Sequence, residues 1–402
     1  RDDRLPIASD YPNTLFTLLG GSYDLEVIEP VTNLCPDRLC EKSDAGPRLR
    51  ERMQSLVTDL TIVYPYIVLT PDLTSGLPSI EGAWGDFATP NSGGEKTSQN
   101  DNRGAIDLED AMAKSLDANR PLLFSKYVQM IESRSPPALH FLHMLLPHLP
   151  WQYLPSGRSY DPQLGVDGLS EELWTDDEWP VVQAYQRHLL QVGFTDKLIG
   201  DLMAHLRATG LYDRSLIVVT ADHGASFRSG DSRRIPTTTN FQDIMSVPLF
   251  IKAPYQQQGV TSDRNVETID ILPTIADILG IDLPWPVDGR SALDATQPQR
   301  DHKVVFFLSN RFVFDSTLKE TYQSVVRKLA IFGSGGNPDG RYGIGPHNNL
   351  VGRRVSELAV DGAANVTVAI DGDAFFADVD PESQFLPVRI TWLVHLNRDA
   401  RQ

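Results

Sequence analysis

Residues Ser215–Arg228 read SLIVVTADHGASFR. Leu216–Val219 is an apolar run rich in β-branched residues, the composition of a strand buried on both faces of a parallel sheet. The run breaks at Thr220-Ala221 into Asp222-His223-Gly224. In open α/β sheets ligand chemistry gathers at the carboxyl ends of strands. A carboxylate and an imidazole therefore stand where a site is expected. Carboxylate oxygen and imidazole nitrogen are donors that a zinc- or manganese-like divalent ion accepts. Gly224 lets the backbone turn sharply behind them. By themselves these residues fit better the capped turn that often follows a strand.

Three arginines follow closely: Arg228, Arg233 and Arg234. In an arbitrary loop they would form a solvated charged face. Directly after a metal-capable pair they are candidates for substrate binding, because guanidinium forks match tetrahedral oxyanions. Upstream, ALHFLHMLLPHLPW at 138–151 alternates like a strand and ends in a proline-flanked turn at His148. His140 and His143 fall on opposite faces of that strand and read as buried, hydrogen-bonded histidines. His188 and His205 lie in a long helical pattern and read as structural.

T-A-D-H-G after an apolar strand resembles the metal-binding signature of the sulfatase-like branch of the alkaline phosphatase superfamily. The likeness extends to GFTDKLIGDLMAHLRATGLYD before the strand, to VPLFIKAP and ETIDILPTIADILGI after it, and to HMLLPHLPW. These cover residues 137–293 in the family's order. The resemblance implies an α/β fold, a mostly parallel sheet with helices on both faces, and a metal-dependent hydrolase of sulfate esters. It assigns Asp222 and His223 to a divalent metal (manganese, zinc, magnesium or calcium) and His148 to the transferred group or leaving oxygen, where it can donate a hydrogen bond or a proton. A phosphodiesterase or phosphoglycerol-transferase-like enzyme of the cell envelope is the alternative, and a non-catalytic surface interaction domain is a third reading. The expected partner is a sulfated or phosphorylated small molecule or envelope polymer.

The same resemblance carries an expectation about the start of the chain. The family opens with a strand bearing an acidic metal ligand, then a nucleophile loop; Thr14–Leu19, Gly20-Gly21 and Tyr23–Val31 match the helix and strand that come after these. Cys35-Pro36-Asp37-Arg38 does not fit the C-x-P/A-x-R pattern of a formylglycine sulfatase. The chain is therefore expected to lack the nucleophile, with little turnover alone.

The 402 residues carry a formal charge of −17, which argues against a nucleic-acid binder. No run of about eighteen apolar residues occurs, so no membrane span is expected within the chain; membrane anchoring would lie in other segments. The two cysteines, Cys35 and Cys40, either close a small disulfide loop or remain as thiols. A disulfide would imply an extracytoplasmic, cell-surface location. Residues 1–299 are expected to form the core and 300–402 a small α+β part. Other expectations are a helix over Pro47–Thr61 and a strand over Ile62–Leu69. Next come a Gly/Pro-rich loop over Pro71–Gly104 holding Trp84 and Phe87, and a helix over Ala105–Ser133 broken at Pro121. A helix over Glu178–Thr209 is expected to be interrupted near Gly193. Further strands are expected at Val304–Leu308, Lys328–Phe332 and Val366–Ile370.

Overall fold

The computed structural model describes residues 7–30, 32–40, 120–160, 166–307, 310–316, 319–333, 338–345, 347–358, 366–371, 378–387 and 391–396, with short pieces between 57 and 66 and at 376. The loop with Trp84 and Phe87, and most of the segments at 47–69 and 105–119, lie outside them. The chain divides into two compact units. One comprises Arg1–Leu146, Asp201–Tyr212 and Asp282–Pro286; the other comprises Pro147–Gly200, Asp213–Ile281 and Val287–Gln402.

In the first unit, helix α1 (Leu15–Leu19) starts at Thr14, whose hydroxyl and that of Thr17 close a reciprocal capping box. Gly20 stops it, donating its N–H to Phe16 O at 2.9 Å. Strand β1 (Asp24–Ile28) follows. Helix α2 (Arg120–Met130) holds Pro121 in its first turn, where the missing N–H is no loss. Strand β2 (Ala138–Leu142) pairs parallel with β1, Asp24 opposite Ala138 and Ile28 opposite Leu142. Phe16 stacks edge-on against Phe141 at 5.0 Å. Around Phe16 the core includes Cys35 and Cys40, which form a disulfide with Cα atoms 6.1 Å apart. His140 is half-buried, and burial together with Arg134 lowers its pKa. His205 bonds Ile131 O at 2.8 Å through Nε2, the structural role its helical position implied.

The second unit holds a two-residue pair, β3 (Leu169–Ser170) and β4 (Leu173–Trp174). Helix α3 runs unbroken over Glu178–Ala208, its end from Asp201 belonging to the first unit. The expected interruption at Gly193 is absent: a lone glycine weakens a helix by only about 1 kcal/mol, and here it makes room for Pro155. Strand β5 (Ile217–Thr220) leads to the Asp222-His223 turn. Short helix α4 (Phe241–Met245) precedes β6 (Leu249–Lys252), and β6 pairs antiparallel with β5, Ile217 opposite Lys252. Lys252 ties the start of the hairpin through the carbonyls of Asp213 and Ser215. Helix α5 (Ile271–Leu279) ends at Gly280, whose φ of 65° is the left-handed cap that glycine adopts freely.

Strands β7 (His302–Phe307) and β8 (Asn310–Asp315) form an antiparallel hairpin. Helix α6 (Lys319–Phe332) follows, then the antiparallel pair β9 (Val366–Asp371) and β10 (Thr391–Leu396). The strand expected at Lys328–Phe332 is instead the end of α6. Ser324 and Phe332 are buried eight residues apart, a helical period that five apolar-rich residues cannot reveal. The mixed α/β class holds. Among the described strands, parallel pairing is confined to β1 and β2.

The core of this unit is aromatic: Trp151, Trp174, Tyr185, Phe227 and Phe332 pack together. Tyr185 stacks on Phe227 with centroids 4.4 Å apart, and His188 lies 5.2 Å from Phe227 and 5.6 Å from Trp151. Burial pushes the His188 pKa down to about 4. His188 is a neutral core residue, as its helical position implied.

Candidate active site

The turn after β5 is shaped by a close approach. Gly224 donates its N–H to Ile244 O at 2.6 Å, and a Cβ at Gly224 would overlap the carbonyl oxygen of Asp243. Only glycine fits there. The turn presents Asp222 to solvent, its side chain 72% exposed, with His223 more covered. Asp222 Oδ1 accepts from the His223 backbone N at 2.8 Å, and Oδ2 lies 3.7 Å from His223 Nε2. His223 Nδ1 bonds Gly224 O at 2.7 Å. Arg234 Nη2 lies 3.1 Å from His223 Nε2. Arginine only donates, so Nε2 accepts and the proton sits on Nδ1.

Asp222 and His223 fit as part of a divalent site. Their donor atoms converge, and a backbone bond at Nδ1 is the outer contact that orients a metal-binding histidine. Among the described residues no third histidine, cysteine or carboxylate joins them in a cluster.

The three arginines have separate partners. Arg233 is nearly fully buried and forms a fork–fork pair with Glu172, both bonds 2.7 Å. Burial would raise the Glu172 pKa, but Arg233 outweighs it, helped by Arg234 and His148, and the carboxyl stays below its ordinary value. Glu172 thus lies within electrostatic reach of three candidate residues. It sits at φ 69° beside Glu171 at φ 47°, the two central residues between β3 and β4. Left-handed backbone at two glutamates is strained. The segment is held by Arg233 N donating to Glu172 O at 2.7 Å and Trp174 N donating to Asp231 O at 3.0 Å.

Arg228 does not turn to Asp222 or Asp231. Its Nε contacts Asp243 Oδ2 at 3.2 Å, and Asp243 has a fully buried side chain. Arg327 reaches the same oxygen at 3.4 Å, and Lys328 reaches Oδ1 at 2.7 Å. Burial pushes the Asp243 pKa up, but Lys328, Ser324 and Arg228 together hold it below the ordinary carboxylate value. Asp231 is filled otherwise, accepting from Thr237, Thr239, Asn240 and the Ser232 N–H.

His148 sits in a turn before the cis Leu149-Pro150 bond, its Nδ1 2.9 Å from Leu149 O. Gln191, fully buried on α3, donates to His148 O at 2.8 Å and accepts from Gln152 N at 3.0 Å. The Asp288–Ser291 loop is fixed on Asp270, which accepts from Arg290 N and both terminal nitrogens of Arg300.

Glu172, Asp243, Arg327 and Lys328 were not legible as site residues. Each is a single charge whose partner lies far along the chain, and Lys328 falls in a segment whose composition reads as a strand.

The strand that ends in the Asp222-His223 turn lies within the stretch that the comparisons match. The Sulfatase family model matches residues 86–281. The Ulvan-active sulfatase of Formosa agariphila is 31% identical over 110 residues, 27% of this chain and 21% of its own length. The multifunctional alkaline phosphatase superfamily protein PehA of Trinickia caryophylli is 30% identical over 165 residues, 40% of this chain and 30% of its own. The chain thus spans less than a third of either relative. A solved phosphonate monoester hydrolase from Silicibacter pomeroyi matches with TM-score 0.37 and 25% identity over 48% of this chain and 45% of that one. Over these residues the chain is similar to sulfatases and to the alkaline phosphatase superfamily.

Proposed function

We propose that the chain serves the hydrolysis of sulfate esters, with Asp222 and His223 as two ligands of a divalent cation. The convergence of Asp222 Oδ2 and His223 Nε2 to 3.7 Å carries this reading. A cation bound there would neutralise charge on the ester oxygens. His148 would meet the leaving oxygen, its turn fixed by Gln191. Arg234 would donate to the sulfate. Arg233 is committed to Glu172 and shapes the loop rather than touching the ester. Both cysteines are in the disulfide, so neither is the nucleophile. The disulfide also favours an extracytoplasmic location. Among the described residues no helix is long and apolar enough to cross a membrane.

A phosphodiester, the substrate of the alternative sequence reading, is the second substrate class. The test is equilibrium binding of an aryl sulfate and an aryl phosphodiester after chelation and manganese add-back, with turnover followed in the same samples. A metal-dependent component of aryl sulfate binding, lost in His223→Ala, is expected. Tighter binding of the phosphodiester would select the second substrate class. The absence of any component that depends on both metal and His223 would overturn the assignment.

A further inference from the structure

A cavity of about 540 Å³ is lined by Arg228, Arg327, Glu178, Asp231, Thr237 and Thr239 among its polar residues, and both arginines pair with Asp243 behind it. Tyr185, Phe227, Val181 and Ile331 supply an apolar wall. Neither Asp222, His223 nor His148 lines it.

Three cations share one carboxylate here. Asp243 takes Arg228 and Arg327 on Oδ2 and Lys328 on Oδ1, with Ser324 donating to Oδ1 as well. Arg228 uses only Nε, so its two terminal nitrogens make no hydrogen bond among the described residues. Arg327 donates from Nη1 to Phe227 O at 3.3 Å, and its buried Nε has no acceptor there. Of the two carboxylates on the cavity wall, Asp231 is already occupied by hydroxyl and amide donors. Glu178, in the first turn of α3, is the other. The cavity therefore offers unfilled guanidinium donors beside an apolar wall, with both arginine side chains about a third exposed. A partly desolvated guanidinium pair favours a ligand oxyanion more strongly than an exposed one. The volume lies in the range of small-ligand sites.

We propose that this cavity binds an organic sulfate or carboxylate, its anionic group between Arg228 and Arg327 and its carbon skeleton along Tyr185, Phe227 and Val181. The site stands apart from the Asp222-His223 pair, so either assignment can fail alone.

The test is calorimetric titration of the full chain with benzoate, phenyl sulfate and neutral phenol. Wild type, Arg228→Gln, Arg327→Gln, Glu178→Gln and His223→Ala are compared, with circular dichroism melts checking each fold. With metal removed by chelation, benzoate and phenyl sulfate should saturate one site, at least about tenfold weaker in either arginine variant, the loss that follows a charged hydrogen bond. Glu178→Gln leaves the partners of Asp243 in place and removes a negative charge from the wall, so anions should bind a few-fold tighter; this arm stands even if an arginine variant does not fold. His223→Ala should leave benzoate binding unchanged. Benzoate binding equal to that of phenol, insensitivity to the arginine and Glu178 changes, or loss in His223→Ala would overturn the proposal.

Discussion

Arg234 donates to Nε2 of His223 at 3.1 Å, occupying the nitrogen through which that imidazole would bind a metal. The contact fixes the imidazole with its proton on Nδ1, bonded to Gly224 O. It also opposes metal entry, because a cation at Nε2 must displace a guanidinium and then lie close to its charge.

The two glutamates between β3 and β4 should respond in opposite directions to one substitution. Glu171→Gly places glycine at φ 47° and is expected to stabilise by about 1 kcal/mol, since left-handed backbone suits glycine. Glu172→Gly relaxes the same turn but leaves the buried Arg233 without its carboxylate, a loss of about 3–5 kcal/mol. Urea melts of both variants are the check. Similar behaviour of the two would mean that Arg233 does not depend on Glu172.

His188 sets an acid limit on stability. Its pKa in the fold is near 4, against about 6.5 for an exposed imidazole. The depressed value means that the unfolded chain takes up the proton first. Stability from this residue is full above about pH 6.5 and falls as pH drops toward 4, by about 3 kcal/mol in all. A melting profile from pH 7.5 to 4.5 should fall less steeply in His188→Phe than in wild type. Parallel profiles would contradict the neutral, buried imidazole.

Asp243 makes a second, lower limit. Its pKa is depressed by Lys328, Ser324 and Arg228 against the opposing effect of burial. Its contribution is therefore present above the ordinary carboxylate value, about 3.9, and is lost as pH falls through the lowered one. Asp243→Asn leaves three cations facing an uncharged amide and should destabilise by about 3–5 kcal/mol at neutral pH. The difference from wild type should shrink only below about pH 4. A gap that is already closed at pH 6 would show that the three cations do not rely on this carboxylate.

Much of this framework was legible in the sequence, for local reasons. A β-branched run ending in Asp-His-Gly marks β5 and the turn behind it, and Thr14 with Gly20 brackets α1. These signals lie within a few residues of what they specify. The antiparallel return of β6 was not legible, because an apolar strand carries no mark of its partner's direction. Neither was the destination of Arg228. Asp231 is nearer in the chain, but it is saturated by Thr237, Thr239 and Asn240, so the guanidinium goes to Asp243. Helix α6 failed as a reading because Lys328–Phe332, taken alone, has strand composition, and its buried period emerges only over more than two turns.

Gly224 carries the geometry of the turn. Gly224→Ala pushes a methyl into the Asp243 carbonyl and should cost about 1–3 kcal/mol, as overpacking does. Its His223 ring proton signals should shift as well, because Gly224 O holds Nδ1. An alanine variant of wild-type stability with unshifted histidine signals would refute the close approach.

The most direct measurement of the central claim is zinc and manganese titration by calorimetry on wild type, His223→Ala and Arg234→Ala. With two candidate ligands among the described residues, one of them engaged by Arg234, weak binding by wild type and none by His223→Ala are expected. Removing the guanidinium should tighten binding in Arg234→Ala by about tenfold, the worth of a charged hydrogen bond. Wild-type binding that survives His223→Ala, or an Arg234→Ala variant that binds no better than wild type, would contradict the assignment of this pair to the metal.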